Sequence, residues 1–224
     1  MFEIQFFKKR NNVQSAQTEP LIPILRGLSE TKILILSDFH MASNGEFRML
    51  SELKYGSDYD ICFVLGDIER QDLLEIKRII KNIHGVTGNH DAKELLRVVG
   101  INDLNGNLLE YNGLKIVGLA GGFKYKDNDY VSMVSQSESS YIASRLPDAD
   151  ILISHDSAHN QVTDEYAHQG LIGISEYIDR CNPAIHLYGH HHENRFDIIG
   201  ETNSFCTYKC NILNTGTMKI KNIF

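Results

Sequence analysis

The chain has 224 residues, 42% of them hydrophobic and 23% charged, with a formal charge of −7. That length supports one well-buried core and is short for two full domains. The acidic balance argues against non-specific nucleic-acid binding, which needs a basic surface to displace counterions.

Residues 1–30 read as an N-terminal arm or loop packing on the domain, and residues 31–224 as a single domain. Residues 8–19 are polar, and Pro20 and Pro23 would interrupt a helix. Met1 to Arg10 place apolar residues before basic ones, the reverse of a secretory signal. No apolar run reaches the roughly 18 residues needed to span a bilayer. The cytoplasm is therefore the expected compartment, with no membrane partner. Four cysteines, Cys62, Cys181, Cys206 and Cys210, lack the Cys-x-x-Cys spacing, so free thiols are expected.

From Thr31 onward, short apolar runs alternate with helical-period stretches. The runs are 32–36, 61–65, 83–87, 115–119, 151–153 and 185–188. The helical stretches are 46–54, 72–81, 92–99, 136–145 and 171–181. Strands buried on both faces and alternating with helices predict an α/β layered fold. Near the end, 196–199 and 205–213 read as an antiparallel hairpin turning around Gly200 and Asn203.

Polar residues then fall in a pattern. Strand 32–36 runs into Ser37-Asp38-Phe39-His40, and strand 61–65 into Gly66-Asp67. Strand 83–87 leads to Gly88-Asn89-His90-Asp91, and strand 151–153 to Ser154-His155-Asp156. Strand 185–188 leads to Gly189-His190-His191-His192. One Asp or His after a strand is usually a turn or capping residue. Many ionisable groups at the carboxyl edge of one sheet need cations to offset their burial. Carboxylate, amide and imidazole donors without a thiolate suit Mn, Fe, Zn, Ni or Co and are too nitrogen-rich for calcium. Gly66, Gly88 and Gly189 fit sharp turns at the strand ends.

The series Asp38-x-His40, Gly66-Asp67, Gly88-Asn89-His90-Asp91, His155 and Gly189-His190-x-His192 resembles the motif series of the calcineurin-like metallophosphoesterases. The resemblance covers about residues 32–192; Asn214-Thr215-Gly216 resembles the family's closing turn more weakly. It implies a four-layer α/β/β/α sandwich with two mixed β-sheets and two divalent metal ions per chain, manganese first. Asp38, His40 and His192 would hold one ion, Asn89, His155 and His190 the other, and Asp67 would bridge them. A hydroxide bridging the metals would attack phosphorus. His90 would assist the leaving oxygen, and Asp91 would orient His90 through a hydrogen bond. His191 is read as pointing away from the metals.

Some features depart from the family's patterns. Gly66-Asp67-Ile68-Glu69-Arg70 lacks the second Asp of the serine/threonine phosphatase branch, and resembles instead the shorter branch containing phosphodiesterases. The fourth motif is Ser154-His155-Asp156 rather than Thr-His. Arg70, Lys124, Lys126, Tyr130, His159, Asn160 and His168 are weighed as substrate contacts against ordinary surface roles. His84 and His186 are read as packing residues. Substrate choice is expected to rest on residues 121–135 and 156–170. The expected activity is phosphodiester hydrolysis on a small molecule or nucleotide. The alternatives are a phosphomonoesterase, a nuclease and, in another class, a protein-interaction scaffold of the same fold. The retained His90 and full ligand series argue against the scaffold.

Overall fold

The computed structural model describes residues 30–40, 42–162 and 166–224; the expected N-terminal arm lies outside them, apart from Glu30. The chain runs β1 (Lys32–Ser37), α1 (Asn44–Glu52), β2 (Ile61–Val64), α2 (Arg70–Ile79), β3 (Ile83–Gly85), α3 (Leu95–Val99) and β4 (Asn102–Asp103). It continues through β5 (Leu108–Tyr111), β6 (Leu114–Leu119), β7 (Gly122–Phe123), β8 (Met133–Val134), α4 (Gln136–Arg145), β9 (Ile151–Ser154), α5 (Ile172–Cys181) and β10 (Ile185–Tyr188). It closes with β11 (Arg195–Ile199), β12 (Thr202–Cys206), β13 (Lys209–Asn214) and β14 (Lys219–Asn222).

Two six-stranded sheets result. The first has the order β14-β13-β1-β2-β3-β4 and the second β11-β12-β10-β9-β6-β5. Both are mixed. In the first, β1 pairs parallel with β2 and antiparallel with β13. In the second, β9 pairs parallel with β6 and β10, whereas β5 pairs antiparallel with β6.

The period-two alternation of each strand divides its side chains between two apolar layers. Ile33, Ile35, Phe63 and Leu65 point from the first sheet into a shared core with Ile116, Ile153, Leu187 and Phe205 of the second. Leu34, Leu36, Cys62 and Val64 point the other way, against Leu50 of α1, Leu73 and Ile76 of α2, and Leu96 of α3. Val117, Leu119 and Leu152 back the second sheet against Ala143 of α4 and Ile174, Tyr177 and Ile178 of α5. The order is therefore helix, sheet, sheet, helix, as the resemblance implies. Each fully buried Ile, Leu or Phe contributes roughly 1.5–3 kcal/mol. Phe63, fully buried between the sheets, would cost about 3–5 kcal/mol on truncation to alanine.

Local sequence fixes the helix ends. Ser43 with Glu46, and Ser135 with Glu138, form capping boxes that satisfy the first amides of α1 and α4. Gly100 and Asn182 follow α3 and α5 in the left-handed conformation that ends a helix.

Two expectations need correction. The run 205–213 is two strands, because Lys209 takes a φ of 60° and breaks the pairing. The chain there crosses from β12 in the second sheet to β13 in the first. Asn203, read as a turn residue, lies within β12; Gly200, with φ 59°, makes the turn. The stretch 92–99 becomes helical only at Leu95, because residues 91–93 pair with the chain at 130–132. The Ser132 amide donates to the Asp91 carbonyl at 2.9 Å, and the Lys93 amide to the Tyr130 carbonyl at 3.3 Å. Asn214-Thr215-Gly216 forms a turn whose Gly216 and Thr217 amides donate to Asn214 Oδ1, both at 3.0 Å. Asn214 pairs with Lys32 at the start of β1, the end opposite Asp38.

Candidate metal centre

Five strand-end loops converge where β1, β2, β3, β9 and β10 finish. Backbone bonds hold them together: the Asp38 amide donates to the Gly66 carbonyl at 3.0 Å, the His40 amide to the Asp67 carbonyl at 3.3 Å, and the Gly189 amide to the His155 carbonyl at 3.0 Å. Two carboxylates extend this lacing. Asp38 Oδ2 accepts from the His190 amide at 2.9 Å and from the Ser37 hydroxyl. Asp91 Oδ2 accepts from the Asp67 amide at 2.9 Å and the Gly88 amide at 2.8 Å.

The backbone is unusual at this edge. Asp38, His40, Asp67, His190 and His192 all have positive φ, between 48° and 70°. Non-glycine residues enter this region at a cost of roughly 1–2 kcal/mol each, and such strain concentrates at functional sites. Gly88 and Gly189 serve a different purpose from the sharp turns expected of them. A Cβ at Gly88 would collide with Asp67 Oδ1, and one at Gly189 with Ser37 Oγ and Asp38 Oδ2. Only glycine lets the carboxylates sit so close to the neighbouring loop.

Two groups of ligand-type atoms result. Asp38, His40 and His192 form one, Asp67, His155 and His190 the other; the atoms within each lie no more than 4.8 Å apart. In the first, the Nε2 atoms of His40 and His192 face each other at 2.9 Å, and His192 Nε2 lies 3.6 Å from Asp38 Oδ1. In the second, His155 Nε2 lies 3.5 Å from Asp67 Oδ2 and 2.8 Å from Asn89 Oδ1. Asn89 thus joins the second group.

The donor set fits divalent ions. Buried polar atoms are normally hydrogen-bonded. Asp38 Oδ1 and His190 Nε2, one in each group, are buried and have no hydrogen-bond partner. His155 Nδ1 lies 2.7 Å from the Leu65 carbonyl, which can only accept, so Nδ1 carries the proton. A neutral His155 then aims the lone pair of Nε2 at the carbonyl oxygen of Asn89. A cation or a proton between them relieves that opposition.

Charge follows burial. Burial opposes ionisation of Asp38, but the nearby His192 imidazole, the charge of His155 and bonds from Ser37 and the His190 amide outweigh it and lower its pKa. Burial likewise opposes a charge on His155, yet the carboxylates of Asp67 and Asp38 raise its pKa. Burial pushes His190 down to about 3, leaving the neutral imidazole a metal requires.

His90 lies at the edge of both groups. Its amide donates to Asp67 Oδ1 at 2.9 Å, and its Nε2 stands 4.0 Å from Asp67 Oδ2. The side chain is 59% exposed. The expected hydrogen bond from Asp91 to His90 is not present among the described residues. Asp91 is committed to the amides of Asp67 and Gly88, on the buried side of the same turn, so it positions loops rather than the imidazole. Burial pushes its carboxyl up to about 7, with the Gly88 amide pulling against and the Asp67 charge adding.

His191 stands outside both groups, with Nε2 3.3 Å from Ser157 Oγ and 4.0 Å from Asp156 Oδ1. It lies beyond the end of β10, between two residues in the left-handed conformation, His190 and His192. Asp156 accepts from the amides of Ser157 at 2.8 Å and Phe123 at 3.0 Å, tying the 121–123 loop to the site. His168 packs beside His190 with ring centroids 5.2 Å apart, while Tyr130 is 88% exposed. His186 is buried between Ser154 Oγ at 2.8 Å and Ser204 Oγ at 2.9 Å. Sequence reasoning missed Tyr208, whose ring stacks on His192 at 5.4 Å. Its only signal is an aromatic in the short link between β12 and β13.

Known proteins share this fold. The family model of the Calcineurin-like phosphoesterase superfamily domain matches residues 31–222. A Thermus thermophilus structure is similar at 15% identity and TM-score 0.66, over 88% of this chain and 100% of that one. The phosphopantetheinyl hydrolase of Mycobacterium tuberculosis is similar at 14% identity and TM-score 0.60, over 80% and 90%. An archaeal phosphodiesterase is similar at 18% identity and TM-score 0.51, over 85% and 97%. No curated protein sequence matches the chain. The chain belongs to the calcineurin-like phosphoesterase superfamily and is a metal-dependent phosphoesterase.

Proposed function

We propose that the chain hydrolyses phosphodiesters of small molecules or nucleotides with two divalent ions. Asp38, His40 and His192 hold one ion; Asn89, His155 and His190 hold the other; Asp67 is shared. The observation that carries this reading is the pair of ligand groups at one sheet edge, each containing a buried polar atom without a partner. Manganese is the first candidate from the family resemblance; the mixed oxygen and imidazole donors are equally compatible with iron, zinc, nickel and cobalt. Two fold neighbours, named as a phosphodiesterase and a phosphopantetheinyl hydrolase, point the same way.

Divalent ions bound there would supply an activated water nucleophile and positive charge for the phosphoryl oxygens. The chain's own groups do the rest. His90 holds a proton at Nε2 for the departing oxygen and faces the cleft where that oxygen emerges. Asp67 fixes His90 by accepting its backbone amide. Asp91 keeps the Asp67 and Gly88 loops at one spacing through its two amide bonds.

Hydrolysis of bis(p-nitrophenyl) phosphate and p-nitrophenyl phosphate, with Mn²⁺ and with chelator, tests this. Metal-dependent turnover favouring the diester is expected. Preference for the monoester would overturn the diesterase assignment, and no turnover despite bound metal would restore the scaffold alternative.

A further inference from the structure

A cleft of about 260 Å³ opens beside the metal centre. One wall is His40, Asp67 and His90. Asp91 lines it as well, and the rest of the lining comes from residues 68–70 and from Ala92 and Leu95. Ile68 (1% exposed) and Leu95 (8% exposed) form an apolar surface, extended by the small exposed side chain of Ala92. Glu69 and Arg70, both exposed, stand at the mouth where α2 begins.

His90 lines this cleft beside His40 and Asp67 of the ligand groups. Its Nε2 lies 4.0 Å from Asp67 Oδ2, while its ring is open to the cleft. A group that receives its proton from His90 therefore leaves into the cleft. The volume is just below the roughly 300 Å³ at which ordinary ligand pockets begin, so the occupant is compact. Ile68, Ala92 and Leu95 offer it apolar contact; Asp67 and Asp91 line the metal-facing side, and Arg70 is the one guanidinium or ammonium group in the lining. Neither Arg70 nor Glu69 forms a salt bridge among the described residues, so Arg70 is available to an incoming anion, and Glu69 beside it opposes that anion.

We infer that this cleft is the leaving-group subsite: a compact alcohol with an apolar body sits on Ile68, Ala92 and Leu95, and Arg70 reads an anionic substituent on that body. The assignment rests on the phosphoesterase reading of the neighbouring metal centre and adds the substrate class. The preferred substrates are phosphate esters whose leaving alcohol is small, partly apolar and itself acidic. This moves part of substrate choice from residues 121–135 and 156–170 to residues 68–70 and 92–95.

The test compares methyl 4-carboxyphenyl phosphate with methyl 4-nitrophenyl phosphate, using the full chain loaded with Mn²⁺. The readout is the ratio of kcat/KM between the esters, relative to the same ratio in wild type; intrinsic leaving-group reactivity then cancels. Arg70→Ala should lower the ratio about tenfold, the low end for loss of a hydrogen bond to a charged group. The loss should appear in KM, because Arg70 touches the substituent and not the reacting atoms. Glu69→Gln should move the ratio in the opposite direction. As a readout independent of turnover, 4-hydroxybenzoate titrated into the zinc-loaded chain should shift the Leu95 methyl and Ala92 amide resonances, and shift them less in Arg70→Ala. An unchanged ratio in both variants, or hydroxybenzoate shifts confined to other residues, overturns the subsite while leaving phosphoesterase activity standing. No hydrolysis of either ester by metal-loaded wild type overturns the parent reading and this one together.

Discussion

The two ligand groups differ in how the protein holds them. In the group of Asp67, His155 and His190, Asp67 and His155 are buried, and His155 is anchored by its Nδ1 proton on the Leu65 carbonyl. In the group of Asp38, His40 and His192, both histidines are exposed. His192 there is steadied by the Tyr208 ring rather than by a backbone carbonyl. A ligand whose other ring nitrogen is hydrogen-bonded is already oriented before metal arrives; an exposed, stacked ring retains more freedom to lose. The buried group should therefore retain its ion while the open group exchanges; the cleft touches both groups, at His40 and at Asp67.

The sharpest way to break this contrast is at Asp67, the residue assigned to both ions. Asp67→Asn should lower turnover on the order of a thousandfold, the upper range for losing one preorganised electrostatic group, and weaken both ions in a metal titration. Weakening of the buried ion alone would show that Asp67 is not shared. His90 lies outside both groups. His90→Ala should lower kcat about a hundredfold, within the range for one general acid, with metal content unchanged by elemental analysis. Loss of metal in that variant would place His90 among the ligands.

Asp91→Ala tests the lacing beneath the buried group. It strips the acceptor from two amides, so thermal or denaturant unfolding should show a loss of about 2 kcal/mol. A variant that unfolds like wild type would contradict that positioning role. The smallest expected effect is at Tyr208. Tyr208→Ala should weaken only the open-group ion, by about tenfold, the lower range for removing a group that orients a ligand. An equal loss at the buried group would remove the distinction between them.

Much of this was legible in the chain. The metal-type residues each follow an apolar strand-forming run, so β1, β2, β9 and β10 and their loops could be placed from pattern alone. Helix α4 was placed at residues 136–145 because its period was uninterrupted. What escaped depends on residues distant in sequence. The break at Thr207–Tyr208 follows from a jump between sheets, and an apolar count over 205–213 does not register it. The late start of α3 follows from pairing with residues 130–132, about forty residues on, which overrides local periodicity. The resemblance implies that Asp91 orients His90, and no local pattern in the sequence reveals its bonds to the Asp67 and Gly88 amides. The cleft wall at Ile68 and Leu95 carried no chemical signature, since apolar residues at helix starts read as core.

The most direct measurement is a calorimetric titration of metal-free chain with Mn²⁺, in wild type and in His40→Ala. The account predicts two ions per chain in wild type, bound in two steps, and one ion in His40→Ala with the tighter step preserved. A single ion in wild type, or an unaltered two-step curve in His40→Ala, would contradict the dinuclear centre.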